Sequence, residues 1–134
     1  MKAPEFKAQI LSETTDKLSG PGSSVPPLAD MLMEHIEFVA EKFFQLGNPP
    51  DYEKSGESSL AARAREQGVS LMVMIYDTLL ERDGHELIYL PLYNYTELNY
   101  DNVLKMMEHP QALYGLSDCG AHFGTVCDAP MPTS

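Results

Sequence analysis

The chain has 134 residues, with 20 acidic and nine basic side chains and a formal net charge of −11. This charge repels phosphate backbones and anionic lipid headgroups, which argues against nucleic-acid binding and membrane docking. The longest apolar runs, such as residues 71–76 and 87–93, are far shorter than the roughly 20 residues that span a bilayer. Two cysteines are too few for a disulfide framework and residues 1–10 lack an apolar signal core, so we expect a reduced, cytoplasmic chain.

Two helices are predicted in the first third of the chain. Residues 4–14 are predicted as a short helix, since proline suits its first position and Phe6 and Ile10 share one face. The glycines and prolines of residues 19–27 cannot continue a helix. Residues 28–46 carry apolar side chains at spacings of three and four, which predicts one long amphipathic helix.

Two more helices are predicted after a polar loop. Residues 59–67 form the first and Gly68 closes it, while Ser70 is a plausible N-cap for the second, at residues 71–82. Methionines at helical spacing are expected to fill the core. They are Met31, Met33, Met72, Met74, Met106 and Met107.

The pattern then changes from helical to strand-like. Residues 87–93 (LIYLPLY) are a continuous apolar run, typical of a parallel strand buried on both faces, although its proline removes one ladder donor. Residues 99–108 follow as a helix and residues 112–116 as a short strand, which together predict a β-α-β unit. Residues 117–134 are predicted as loop, and the fold class is α/β.

Functional groups of parallel α/β proteins collect at the carboxyl ends of the strands. Here the predicted strands end at Asn94 and at Ser117–Asp118. A carboxylate directly after a buried strand is a candidate acid, base or metal ligand, and equally a candidate cap of the following turn. His122 could orient a substrate or bind a metal. A zinc cluster of Cys119, His122, Cys127 and Asp128 is disfavoured because its spacing matches no usual ligand pattern.

The last 20 residues, GLSDCGAHFGTVCDAPMPTS (115–134), resemble a signature of the N-acyl-D-amino-acid deacylases, which are D-aminoacylase-like members of the amidohydrolase superfamily. The family form is approximately G-L-S-D-G-G-A-H, followed by small residues, Asp-Ala and a threonine. Similarity continues upstream, so that it covers most of residues 47–134, and residues 4–14 resemble a family helix more loosely. Cys119 stands where a glycine is usual.

The resemblance implies a (β/α)8 TIM barrel with a small flanking β-domain. This chain is then the C-terminal portion of the catalytic barrel, truncated at both ends, because a complete barrel needs roughly 250 residues. Residues 51–134 correspond to the last βα units, around strands seven and eight. Residues 1–50 correspond to a helical insert or to helices flanking the barrel. The missing remainder of the barrel is the partner that this interpretation requires.

The resemblance also implies a chemistry. Zinc at the barrel mouth activates water for attack on the amide of a small N-acyl amino acid. By motif match, Asp118 takes the proton of that water, passes it to the leaving amine and could touch the metal. Ser117, His122 and Asn94 are carried over as neighbours of the substrate. The superfamily's His-x-His pair and its later metal histidines are absent from this sequence, so we expect the isolated chain to be inactive.

Two alternatives stay open. One keeps the superfamily but changes the substrate to a cyclic amide or another acylated amine. The other is a non-catalytic, acidic, helical interaction module, which the predicted helix at residues 28–46 and the net charge of −11 would suit.

Overall fold

Helices make up most of the regular structure in the computed structural model, which describes residues 3–13, 19–23, 27–91, 93–113, 121–122 and 125–126. Residues 27–28, 121–122 and 125–126 are described as backbone only. The α-helices in these residues are α1 (Pro4–Ser12), α2 (Pro27–Glu34), α3 (Ile36–Val39), α4 (Leu60–Gln67), α5 (Leu71–Leu79) and α6 (Asp101–Met107). Short 3-10 turns cover Ala40–Lys42, Gly56–Ser58 and Glu81–Gly84. The helices predicted at residues 4–14, 59–67, 71–82 and 99–108 are thus confirmed, and all four are shorter than predicted.

The strands are two residues long and pair as two antiparallel ribbons. Strand β1 (Phe44–Gln45) pairs with β2 (Ile88–Tyr89), placing Phe44 opposite Tyr89 and Gln45 opposite Ile88. Strand β3 (Ala121–His122) pairs with β4 (Thr125–Val126). The described chain is therefore a mixed α/β structure, as predicted at the level of fold class.

The single helix predicted over residues 28–46 is wrong. The chain leaves helical geometry at His35 (φ −117°, ψ 28°), tightens into the 3-10 turn Ala40–Lys42 and then extends into β1. Phe44 is fully buried, and its ring meets Tyr95 edge to face at 6.4 Å between centroids. Pairing with a strand 44 residues away, together with this burial, outweighs the local helical preference.

The strand predicted over residues 87–93 is correct in type but too long. Among the described residues of this range, which omit residue 92, Ile88 and Tyr89 are strand, and Pro91, which lacks an N–H donor, follows closely. Its partner among the described residues is antiparallel β1, not the parallel strand that we predicted. Of the second predicted strand, at residues 112–116, the structure describes the first two residues, and neither is in a strand.

The loop predicted over residues 117–134 is wrong at four positions, which form β3 and β4. Two residues separate these strands, which is the commonest spacing in a β-hairpin. The remaining residues of this predicted loop lie outside the described part of the chain.

The core lies where α4 and α5 pack against each other and against β1 and β2. Leu60, Ala64 and Met74 form its buried centre. Phe43, Leu71, Ile75 and Ile88 surround that centre. A backbone hydrogen bond joins the residue before β1 to the start of α4: the N–H of Leu60 donates to the carbonyl of Phe43 at 2.7 Å.

Caps explain why the predicted start of α5 and both predicted ends of α4 lie within one residue of the observed ones, whereas α5 ends three residues before its predicted end. The Ser59 hydroxyl accepts a hydrogen bond from the Ala62 N–H at 3.1 Å, and the Ser70 hydroxyl accepts one from the Val73 N–H at 3.3 Å. Gly68 closes α4 with a left-handed φ of 65°, a conformation that costs a side-chain-bearing residue free energy. These local signals explain why both helices could be located from sequence.

Replacing Ser59 by Ala is expected to lower the free energy of unfolding by about 1 kcal/mol, because the Ala62 N–H then loses its partner in a buried position. Ser70→Ala is the matched control. Its cap is exposed, so water can replace the lost acceptor and the expected loss is smaller, about 0.5 kcal/mol. Urea denaturation measures both losses, and an equal or larger loss for Ser70→Ala would contradict this account.

The predicted methionine core is largely wrong. Met74 is buried, whereas the other five methionines named above are 42–56% exposed. They lie on α2, α5 and α6, and α5 and α6 also expose Leu79 and Leu104. Among the described residues, none of the helices combines the length and apolar character needed to cross a bilayer.

Candidate functional site

The structure describes one of the predicted site residues in full. Asn94 lies in the loop after β2, and His122 lies in β3 opposite Thr125, with its side chain undescribed. Ser117 and Asp118 fall outside the described residues. The predicted meeting of Asn94 with Asp118 at one edge of a sheet therefore stays a prediction.

Contrary to the prediction, Asn94 does not end a strand but sits five residues beyond the end of β2. Its backbone is left-handed, with a φ of 60°, a conformation that asparagine adopts more readily than most residues. The Asn94 side chain is exposed and the neighbouring Tyr93 is 82% exposed. These two side chains are thus available to a ligand.

The residues that follow are held firmly against the loop formed by residues 52–56. Tyr95 is 1% exposed, and its hydroxyl donates to the carbonyl of Lys54 at 2.7 Å. The N–H of Tyr100 donates to Glu53 Oε1 at 3.1 Å. Residues 93–100 are called the tyrosine loop below.

Four tyrosines pack together where the tyrosine loop contacts residues 52–56. They are Tyr52, Tyr89, Tyr95 and Tyr100. The Tyr89 and Tyr100 hydroxyls are 2.5 Å apart, and the Tyr100 ring lies 4.7 Å from that of Tyr95. Tyr52 meets Tyr89 edge to face at 5.3 Å. Burial, and then the hydrogen bond with Tyr100, raise the pKa of Tyr89, and burial raises the pKa of Tyr95. Both therefore remain neutral phenols at pH 7 and act through packing and hydrogen bonds.

A buried carboxylate joins β1 to β2. Glu86 is 3% exposed, and its Oε1 accepts the N–H groups of Gly47 and Leu87, each at 3.0 Å. Its Oε2 accepts from Gln45 Nε2 at 3.1 Å, with Arg82 Nη1 3.9 Å away. Burial alone raises the pKa of Glu86, but these hydrogen bonds and the arginine charge outweigh it and hold that pKa below its usual range.

A cleft of about 180 Å³ opens beside this carboxylate. It is lined by Gln45, Gly47, Lys54, Ser58 and Arg63. Both cationic side chains that line the cleft already have polar partners. Lys54 Nζ is 3.0 Å from Asp51 Oδ2, and Arg63 Nη1 donates to Gln45 Oε1 at 2.9 Å. The hydrogen bond from Lys54 holds the pKa of Asp51 below its usual range, so this neighbouring acid stays ionised at pH 7.

The described residues do not form a metal centre. Within them, no group of three or more His, Cys, Asp or Glu side chains is arranged to hold an ion. The described residues by themselves therefore supply no binding site for the zinc that the resemblance implies. Asp118, the one predicted ligand, lies outside them.

Comparisons with known proteins identified no relative of this chain. Neither the protein-family models, nor the curated proteins, nor the solved structures contain a match to this chain.

Proposed function

We propose that this chain is part of a zinc-dependent amidohydrolase that cleaves N-acyl-D-amino acids to a carboxylate and a free D-amino acid in the cytoplasm. The single observation that carries the proposal is the segment GLSDCGAHFGTVCDAPMPTS at residues 115–134. It combines a Ser-Asp pair, a Gly-Ala-His triplet and a later Asp-Ala in the order and at the approximate spacing of the deacylase signature.

The exposed apolar surface supports membership in a larger catalytic barrel. Leu113 is 96% exposed and Phe38 84%, and α6 exposes Leu104, Met106 and Met107. A seven-residue helix is marginal by itself in water, and apolar faces of this extent usually pack against another element. The order α5, β2, α6 also accords with the alternation of helices and strands in a (β/α)8 fold.

The proposed roles follow the motif. Asp118 accepts the proton of the attacking water on a carboxylate oxygen and delivers it to the leaving amine. Ser117, His122 and Asn94 contact the N-acyl amino acid. Zinc, when bound, would supply the acidity that makes the water a nucleophile at neutral pH. Asp118 is its proposed ligand in this chain, and the other ligands come from the remainder of the barrel.

The test uses the protein encoded by the complete reading frame. Metal analysis is expected to find bound zinc, and an assay with N-acetyl-D-amino acids is expected to release the free D-amino acid. The matched L-isomers and a cyclic amide serve as comparison substrates. Turnover of the cyclic amide alone would favour the related amidohydrolase, and absence of both zinc and amide hydrolysis would overturn the proposal.

A second candidate is an acidic, helical interaction module. The observation that favours it is the exposed apolar surface of α2 and α3, which includes Met31, Met33 and Phe38, on a chain of net charge −11. A cooperative thermal melt of the 134-residue chain by itself, without amide hydrolysis by the full-length protein, would support this candidate over the enzyme.

A further inference from the structure

We infer that the tyrosine loop, residues 93–100, is a preformed substrate-binding loop in which Tyr93 and Asn94 contact the ligand and Tyr95 is a positioning residue. The inference rests on the proposed function and adds to it a recognition element for the acyl-amide part of the substrate. It also assigns a role to the buried contacts behind that element.

The tyrosine loop is attached to residues 53–56. Three of its residues contact residues 53–56: the Tyr95 hydroxyl bonds Lys54, the Tyr100 N–H bonds Glu53, and Leu98 lies against Gly56. The last contact is close, since a Cβ added at Gly56 would lie 2.8 Å from Leu98 Cδ1. The loop is therefore fixed at its middle and at its end, which leaves Tyr93 and Asn94 on a defined backbone.

Two residues of the tyrosine loop have a left-handed backbone conformation. Asn94 and Leu98 have φ values of 60° and 56°. A left-handed leucine is uncommon, because its Cβ crowds the following carbonyl, and such residues persist where the surroundings hold them in place. The contacts of Tyr95 and Leu98 supply that restraint and keep the two exposed side chains in one arrangement.

The exposed side chains of the tyrosine loop match the chemistry of an N-acyl amino acid. The Asn94 carboxamide carries both a donor and an acceptor, which matches the C=O and N–H of a substrate amide. No described residue forms a hydrogen bond with it. The adjacent Tyr93 ring offers an apolar face to an acyl chain or an amino-acid side chain. An amide next to an apolar group is the chemistry that this pair of residues recognises.

The experiment replaces Tyr95 by Phe in the full-length protein. The ring is kept, so its packing on Phe44 and Tyr100 remains, and the hydrogen bond to Lys54 is lost. We expect KM for an N-acetyl-D-amino acid to rise about tenfold, equivalent to about 1.4 kcal/mol, with kcat changed less than about twofold. Tyr76→Phe on α5 is the matched control and should leave both constants unchanged.

A second readout is independent of catalysis. Chymotrypsin cleaves after exposed aromatic residues, so cleavage of the Tyr93–Asn94 bond, relative to the Phe38–Val39 bond, reports the freedom of the loop. Tyr95→Phe should accelerate cleavage after Tyr93, and Tyr76→Phe should not. Gly56→Ala, which displaces Leu98, should act in the same direction and provides a second variant if Tyr95→Phe fails to fold.

The outcomes separate the two proposals. Faster cleavage with an unchanged KM would overturn the role of the loop in substrate binding, while the deacylase would stand. Unchanged cleavage in both loop variants would overturn the positioning role of Tyr95. A full-length protein with no hydrolase activity would overturn the proposed function, and with it the substrate assigned to the loop.

Discussion

Replacing Asp118 by Asn in the full-length protein is expected to lower kcat for hydrolysis of an N-acetyl-D-amino acid by about 10²–10⁴-fold, the usual contribution of general acid–base catalysis. The substitution conserves size and removes the carboxylate that is proposed to accept the proton. If Asp118 serves mainly as this base, zinc content should remain close to that of the wild type. Metal analysis and initial-rate kinetics on the same preparations measure both quantities.

Asp101→Asn is the control for this experiment, because Asp101 is an exposed carboxylate at the start of α6 and has no proposed part in the reaction. Near-normal turnover by Asp118→Asn would remove Asp118 from the reaction and would favour its alternative role as a turn cap. Loss of zinc together with activity would instead make Asp118 chiefly a metal ligand.

The helices that sequence predicted well are those specified by local chemistry. Ser59, Ser70 and Gly68 act through hydrogen bonds and backbone angles within a few residues of their own positions. A pattern of residues read along the chain contains this information. Both ends of α4 and the start of α5 can therefore be predicted from the amino-acid sequence alone, whereas α5 ends three residues before its predicted end, at a leucine and not at a glycine cap.

The failures share a different cause, since they depend on residues distant in sequence. Phe44 continues the helical spacing of residues 28–46, yet it pairs with Tyr89 and packs against Tyr95. The spacing of apolar residues along the chain gives no information about a partner 45 residues away. The same limit applies to the methionines, whose spacing predicted burial where the described chain has no covering element.

Part of the candidate site was predictable and part was not. Asn94 is predicted as a site residue because it follows an apolar run, and the structure places it in an exposed loop beyond a strand that ends earlier than predicted. Glu86 and Tyr95 were missed, since a glutamate beside an apolar run is ordinarily solvent-exposed and a tyrosine near a loop gives no sign of its acceptor. Their importance comes from the donors and carbonyls that the fold brings to them.

Replacing Glu86 by Gln is expected to lower the free energy of unfolding by about 3 kcal/mol at pH 7. The Glu86 carboxylate accepts from three donors, and a carboxamide offers one oxygen and a new N–H₂ group. If that oxygen keeps the N–H groups of Gly47 and Leu87, the N–H₂ group faces Gln45 Nε2 as a second donor. Rotating the Gln45 amide to compensate would sacrifice its hydrogen bond from Arg63.

Glu81→Gln is the matched control. Glu81 Oε2 also accepts from Gln45 Nε2, at 2.6 Å, but its side chain is exposed and water can replace the lost interaction. The expected loss is below about 1 kcal/mol. Equal losses for Glu81→Gln and Glu86→Gln in urea denaturation would show that burial of the Glu86 carboxylate does not determine its contribution.

The pH dependence of the Glu86→Gln effect tests its electrostatic origin. Because the pKa of Glu86 is lowered in the folded state, its stabilisation is present above the unfolded-state pKa of about 4.3 and is lost as pH falls through the folded-state value. The difference in unfolding free energy between wild type and Glu86→Gln should therefore shrink below about pH 4. Glu41 and Asp51, whose pKa values are also lowered, titrate in both proteins and cancel in the difference. A difference that stays constant from about pH 7 to about pH 3 would mean that the charge of Glu86 does not stabilise the fold.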